Sequence, residues 1–277
     1  MKPINLLSLT QAHRSLVANL YEEYAKLHSI EIKSSEVDDL RILVQKLLAG
    51  QPRREILDGY YVGFKIPQIG KEFDLLRFGS NYNVNIEVKS DCDHAKKQRQ
   101  LLRNRYYLGY LGIPLHNISF SSSTGEFYSL QADGTLDLCE PQEIVDILSA
   151  QEVEISKPIN DRFQPSNYLV SPFNSPDKFL SGEYFLTSQQ ENFKTQAMQR
   201  LAIGGPANFI SLTGSAGTGK TLLAYDIVAE LIRLGRSPLI VHCGNLNGGQ
   251  CHLIGAGWSI IPVKQLRNYD LTRFDTI

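Results

Sequence analysis

The eight residues from Gly214 to Thr221, GSAGTGKT, constrain the fold of this chain more than any other feature. They satisfy G-x-x-x-x-G-K-[ST] at Gly214, Gly219, Lys220 and Thr221, with FISLT before them and TLLAYDIVAELIRLG after. An apolar strand, a glycine-rich turn and an amphipathic helix in that order aim backbone N–H groups and the positive end of a helix dipole at one point, a cradle for phosphate oxygens. Ser215, Ala216, Gly217 and Thr218 would lend their backbone to that cradle. Lys220 would neutralise the outer phosphates, and the Thr221 hydroxyl is the expected magnesium ligand. A chance glycine-rich turn is the competing reading, and the legible strand and helix on either side weigh against it.

A chain of 277 residues with 42% hydrophobic and 21% charged side chains suits two folded domains of moderate size. The spacing predicts helices over residues 8 to 28 and from Ser35 to Gly50, the second opened by an S-x-x-D cap at Ser35 and Asp38. From Tyr60 the period changes to two: YYVGFKI, FDLLRF and NVNIEVK read as three strands separated by glycine and proline. A basic helix follows from Asp93 to Leu111, then strands HNISFS and EFYSL, then a short helix from Pro141 to Leu148. The expected first domain, residues 1–150, is therefore α+β in the order α, α, βββ, α, ββ. A proline-rich linker is expected over 151–182, where Pro158, Pro165, Pro172 and Pro176 interrupt every period. The expected second domain, 183–277, opens with a helix capped at Ser188 and Glu191. A strand from Asn208 to Thr213, the glycine-rich loop, a helix from Thr221 to Leu234 and a strand from Pro238 to Cys243 then begin a parallel α/β sheet.

In NVNIEVK, Val84, Ile86 and Val88 alternate with Asn85, Glu87 and Lys89, so Glu87 and Lys89 project from one face. Asp74 lies 13 residues before Glu87, and a hairpin would bring the two carboxylates together. Two acids and a lysine are what metal-dependent phosphodiester cleavage requires: oxygen ligands for Mg²⁺, here Asp74 and Glu87, and a cation beside the attacking water or the phosphate. A polar strand face is the plainer reading. The next helix adds Lys96, Lys97, Arg99, Arg103 and Arg105, a basic surface suited to nucleic-acid phosphates.

This Asp and Glu-x-Lys pattern within an α, βββ, α, β order resembles the PD-(D/E)XK nuclease superfamily. The resemblance implies Asp74, Glu87 and Lys89 as catalytic residues, with Gln100 or Gln98 on the following helix supporting the lysine. Glu36 is the position matching an acid from the first helix; a helix-start charge at a favourable dipole position is the alternative there. The strings Gly59 to Tyr61 and Tyr110 to Gly112 have the wrong order and separation for a GIY-YIG nuclease, and aromatic core packing explains them better.

Over roughly residues 183 to 277, LTSQQ resembles the glutamine motif ahead of the phosphate loop in superfamily-1 helicases. PLIVHCGNLN and GWSI resemble the following segments of Schlafen-like, helicase-related ATPases. The resemblance implies ATP and Mg²⁺ as cofactors, with Gln190, or equally Gln189, reading adenine. Hydrolysis also needs an acid at the end of a second apolar strand. Neither Asp270 nor Asp275 follows an apolar run, so the expectation is a truncated ATPase domain that binds ATP and hydrolyses it slowly or not at all.

Net charge is −1, so affinity for nucleic acid must be local. No apolar run approaches the ~20 residues that span a bilayer, and the N-terminus lacks a signal-peptide core; the expected location is the cytoplasm. Cys92, Cys139, Cys243 and Cys251 have no CxxC pairing, which argues against a zinc site or a disulfide framework, and Cys92 with His94 lacks a second ligand pair. Together these readings point to a nucleic-acid-processing protein, with DNA favoured over RNA and defence against foreign DNA as a setting. A non-cleaving ATP-dependent sensor and a P-loop small-molecule kinase are the alternatives.

Overall fold

The computed structural model describes residues 1–67, 69, 71–90, 93–164, 167–203, 209–244 and 246–277, and the chain forms two compact units, Met1–Tyr168 and Leu169–Ile277. Both mix helix and strand. No helix among the described residues is long and apolar enough to cross a membrane.

The first unit opens with α1 (Leu6–Ser15), α2 (Ala18–His28) and α3 (Ser34–Leu48). The single helix expected over 8 to 28 is broken, because Leu16 and Val17 are extended. The change of direction sends Leu6 and Leu9 of α1 fully into the core while Tyr21, Tyr24 and Ala25 of α2 still pack against it. The cap of α3 differs from the one expected at Ser35: Glu36 Oε2 accepts the Lys33 N–H at 3.0 Å. Strands β1 (Tyr60–Lys65), β2 (Glu72–Arg77) and β3 (Asn83–Lys89) precede α4 (His94–Gly109). Then come β4 (Leu115–Ser121), β5 (Glu126–Leu130), a sixth strand β6 (Leu136–Cys139) and α5 (Pro141–Ala150).

The six strands form one mixed sheet in sequential order, antiparallel throughout except where β3 pairs parallel with β4. A parallel pair needs a crossover, and α4 supplies it. Val84 and Ile86 of β3, with Ile118 and Phe120 of β4, face a core shared with α1, α3 and α5. The alternate positions Asn85, Glu87, Asn117 and Ser119 are also buried. Asn117 donates to the Leu101 carbonyl of α4 at 2.6 Å, which places this polar layer under that helix. The polar face of β3 is therefore an inner face, enclosed by the crossover.

Residues 151–168, expected in a linker, belong to the first unit. The Glu154 N–H donates to the Phe78 carbonyl at 2.9 Å, and Phe163 packs its ring on Phe64 at 5.1 Å. Residues 169–182 belong to the second unit, where Val170 and Phe179 are buried with Tyr225 and Trp258. Pro158 caps α6 (Ile159–Arg162) and Pro176 opens α7 (Pro176–Leu180), while Pro165 lies outside the described residues.

Arg77 is the main polar anchor of the first unit. It is 2% exposed, and it donates to the carbonyls of Glu55, Asp58 and Leu148 at 2.8 to 2.9 Å and to Gln151 Oε1 at 3.1 Å. Substitution by methionine keeps the length of the side chain but leaves buried carbonyls unpaired, at about 1 to 3 kcal/mol each. Arg77→Met is expected to destabilise this unit by roughly 3 to 5 kcal/mol, with part of the loss offset by removing a buried charge. The denaturant midpoint should fall with an unchanged m-value.

The second unit continues with α8 (Ser188–Ala202), α9 (Lys220–Arg233), β7 (Ile240–His242), α10 (Gly248–Gly255) and β8 (Ile260–Pro262). β7 and β8 pair in parallel, and Pro238 forms an isolated parallel bridge with Thr276 on the other flank. Asn208 lies outside the described residues, and Phe209 to Thr213, expected as a strand, are not in one. An extended segment becomes a strand only by pairing; β7 pairs with β8, Thr276 bridges Pro238, and Phe209 is left 93% exposed. The cap of α8 is displaced by one residue from the expected Ser188: Thr187 caps the helix, and Gln190 returns the bond to the Thr187 N–H.

Candidate functional site

β2 and β3 pair at Leu75–Ile86, Leu76–Asn85 and Arg77–Val84, and then part. Asp74 and Glu87 are the first residues beyond that fork. Asp74 Oδ2 fills it, accepting the Val88 N–H at 2.9 Å in place of a ladder partner. Lys89 Nζ lies 3.1 Å from the same oxygen and 3.7 Å from Glu87 Oε2, so one ammonium sits between two carboxylates from adjacent strands. The structure thus brings Asp74, Glu87 and Lys89 together. Glu87 is the inner member, held under α4, while Asp74 and Lys89 also line a cavity of 270 Å³ with Glu31, Glu36, Asp39 and Glu72.

Glu87 is 1% exposed, and both its oxygens are held from α4: Gln100 Nε2 donates to Oε2, and Asn104 Nδ2 donates to Oε1 at 2.7 Å. Burial, and after it the charge of Asp74, pushes the Glu87 carboxyl up to about 7 against the pull of Lys71, Lys89 and Asn104. Burial works to lower the Lys89 ammonium, but Asp74 and Glu87 outweigh it and hold Lys89 above its ordinary value. Lys71, which the sequence reading passed over, feels both acids, and burial holds its ammonium below the usual lysine range. It donates to the Glu72 carbonyl and lies 4.6 Å from the Phe73 ring centroid.

The remaining expected residues fall in several places. Gln100 reaches Glu87 rather than Lys89, and Gln98 is engaged with the Gly134 carbonyl at 2.6 Å. Glu36 lines the cavity and also caps α3. The basic surface is narrower than α4 suggests. Lys97 is 2% exposed beneath the helix, 4.5 Å from the Tyr128 ring centroid, and Arg105 is tied to the carbonyls of Gln131 and Ala132. Lys96 and Arg99 remain on the exposed side. Cys92 lies outside the described residues; His94 packs edge-on against Tyr128; Cys139, Cys243 and Cys251 are free thiols.

Asn104, the second α4 side chain that holds Glu87, is a contact that sequence reasoning missed. Its signal was the spacing of four from Gln100, which sets both amides on one face of the helix.

The donor set suits magnesium better than zinc. Among the described residues no three His, Cys, Asp or Glu side chains gather as a metal cage. Mg²⁺ is commonly held by one or two carboxylates, with waters and substrate phosphate completing its shell, and Asp74 with Glu87 provides two.

In the second unit, residues 214 to 219 form an exposed turn ahead of α9. Gly217 and Gly219 have φ of 77° and 76°, in the left-handed region where a side chain is strained. Lys220 folds back over the loop, donating to the carbonyls of Gly214 at 2.8 Å and Ser215 at 2.5 Å. Thr221 is exposed in the first turn of α9. Gln190 donates from Nε2 to the Thr218 carbonyl at 3.1 Å, while its Oε1 accepts the Thr187 N–H at 2.8 Å; Gln189 is exposed. Neither late acid stands free: Asp270 accepts the Thr272 N–H, and Asp275 bonds Arg236 at 2.8 Å.

No protein-family model, curated protein or solved structure matches this chain.

Proposed function

We propose that this chain processes nucleic acid in the cytoplasm, its first unit cleaving phosphodiester bonds with Mg²⁺ and its second binding ATP through Gly214 to Thr221. The observation that carries the reading is the convergence of Asp74 and Glu87 on Lys89 at the fork between β2 and β3. A cavity rimmed by acids repels a polyanion on its own; Mg²⁺ held there would supply the positive charge that attracts and polarises a phosphate. Asp74 and Glu87 would hold the ion, and Lys89 would face the attacking water or a phosphate oxygen. The PD-(D/E)XK resemblance agrees with this assignment, and with DNA ahead of RNA as substrate. In the second unit, Lys220 and Thr221 would take the triphosphate and its magnesium. ATP binding would bias cleavage, a pairing that suits defence against foreign DNA.

The test is incubation of labelled single- and double-stranded DNA and RNA with Mg²⁺ or Mn²⁺, with EDTA as control and with and without ATP. Cleavage that requires the metal and disappears in Asp74→Asn supports the reading. Salt-sensitive nucleic-acid binding that responds to ATP without any cleavage would replace it with a sensor, and nucleotide binding with no polynucleotide affinity would point to a small-molecule kinase.

A further inference from the structure

We infer that Asn104 is a positioning residue of the cleavage site, orienting the Glu87 carboxylate for the metal. The inference rests on the metal-dependent reading above. Its ground is the contrast between two buried amides in the same layer. Asn117 is satisfied at both ends: Asn85 Nδ2 donates to its Oδ1 at 2.8 Å, and its own Nδ2 donates to the Leu101 carbonyl at 2.6 Å. It joins strand to strand and strand to helix, as a structural amide should. Asn104 is also fully buried, yet its Oδ1 has no hydrogen-bond partner, and its Nδ2 goes to Glu87 Oε1 at 2.7 Å.

An orphaned buried carbonyl costs about 1 to 3 kcal/mol; Asn85 Oδ1 in the same layer is orphaned too, and what sets Asn104 apart is that its one donor bond goes to a carboxylate. What the amide does supply is direction. Gln100 and Asn104, one turn apart on α4, each take one oxygen of Glu87. A carboxylate has about four acceptor positions. With one on each oxygen taken from the helix side, the others are turned back toward the fork, where Lys89 stands 3.7 Å from Oε2. Partners that hold a ligand's far side commonly matter 10- to 100-fold in metal affinity.

The experiment is a Mn²⁺ titration of the full chain stripped with EDTA, read by calorimetry or by electron paramagnetic resonance of the free ion. Wild type is compared with Asn104→Leu, Asn104→Ala and Asp74→Asn. Leucine keeps the branched shape of asparagine and removes both the donor and the orphan; it also leaves Glu87 Oε1 without its buried donor, so the melting temperature should fall and binding is compared well below the transition of each variant. Alanine serves as the second variant if leucine does not fold. The expected result is at least ~10-fold weaker Mn²⁺ binding in the Asn104 variants, with folding intact. Binding equal to wild type would overturn the positioning role while leaving the metal site standing. Binding by wild type no tighter than by Asp74→Asn would instead overturn the metal-dependent reading, and this inference with it.

Discussion

Lys89→Ala is expected to lower metal-dependent cleavage by roughly 10²- to 10⁴-fold, the range found when a positioned proton-transfer group or charge-stabilising donor is removed. It should do so without weakening the metal. Lys89 Nζ lies 3.1 Å from Asp74 and 3.7 Å from Glu87, so in the protein alone it neutralises the carboxylates that Mg²⁺ must reach. Removing it leaves two acids facing each other. The metal-free fold should lose on the order of 1 kcal/mol, since the pair is only partly exposed, and Mg²⁺ should restore that loss by standing where the ammonium stood. A lysine needed only for the fold would show the reverse: lower stability with and without metal, and cleavage reduced no more than the folded fraction. Single-turnover cleavage at saturating Mg²⁺, paired with thermal melts in EDTA and in Mg²⁺, separates the two cases. Cleavage within a few-fold of wild type in the variant would remove Lys89 from the chemistry.

The legible parts of this site were those that obey period and spacing. β1 to β3 announce themselves by alternation between glycines and prolines, and a separation of 13 residues between Asp74 and Glu87 fits the observed antiparallel pair. The other half of the site comes from α4, and that half was hard to read. Lys97, Gln100 and Asn104 lie on its inner face, over a sheet face that is itself polar. A helix that buries polar groups on polar groups lacks the apolar stripe from which burial is inferred, so its inner and outer faces look alike in sequence. Hence Lys97 was expected on a basic surface and is found beneath the helix. β6 escaped for a related reason: it is a four-residue strand at the edge of the sheet, and Leu138 is 61% exposed. The opposite error occurs at Phe209 to Thr213. There the alternation is clear, but alternation states only what a segment can do; whether it pairs depends on which neighbours the sheet offers it.

Lys220→Ala is expected to weaken ATP binding by about 100-fold or more, close to 3 kcal/mol. Unlike Lys89, this lysine has no carboxylate partner among its described contacts: its Nζ rests on the carbonyls of Gly214 and Ser215 and lies 3.5 Å from the Thr218 hydroxyl. Those neutral acceptors hold the ammonium over the loop yet yield readily to a phosphate, because a charge-assisted bond is about twice as strong as a neutral one. The glycines, the α9 N-terminus and the Gln190 bond to Thr218 all survive the substitution, so the loop should keep its shape and the melting temperature should stay unchanged without nucleotide. Gln190→Ala makes the complementary comparison. Its amide is engaged by Thr187 and Thr218, so its removal should loosen the loop and weaken ATP and GTP alike; a loss confined to ATP would show that Gln190 leaves the loop to read the base. Isothermal titration with both nucleotides in Mg²⁺ settles both points. ATP affinity unchanged in Lys220→Ala would mean that Gly214 to Thr221 does not hold a triphosphate.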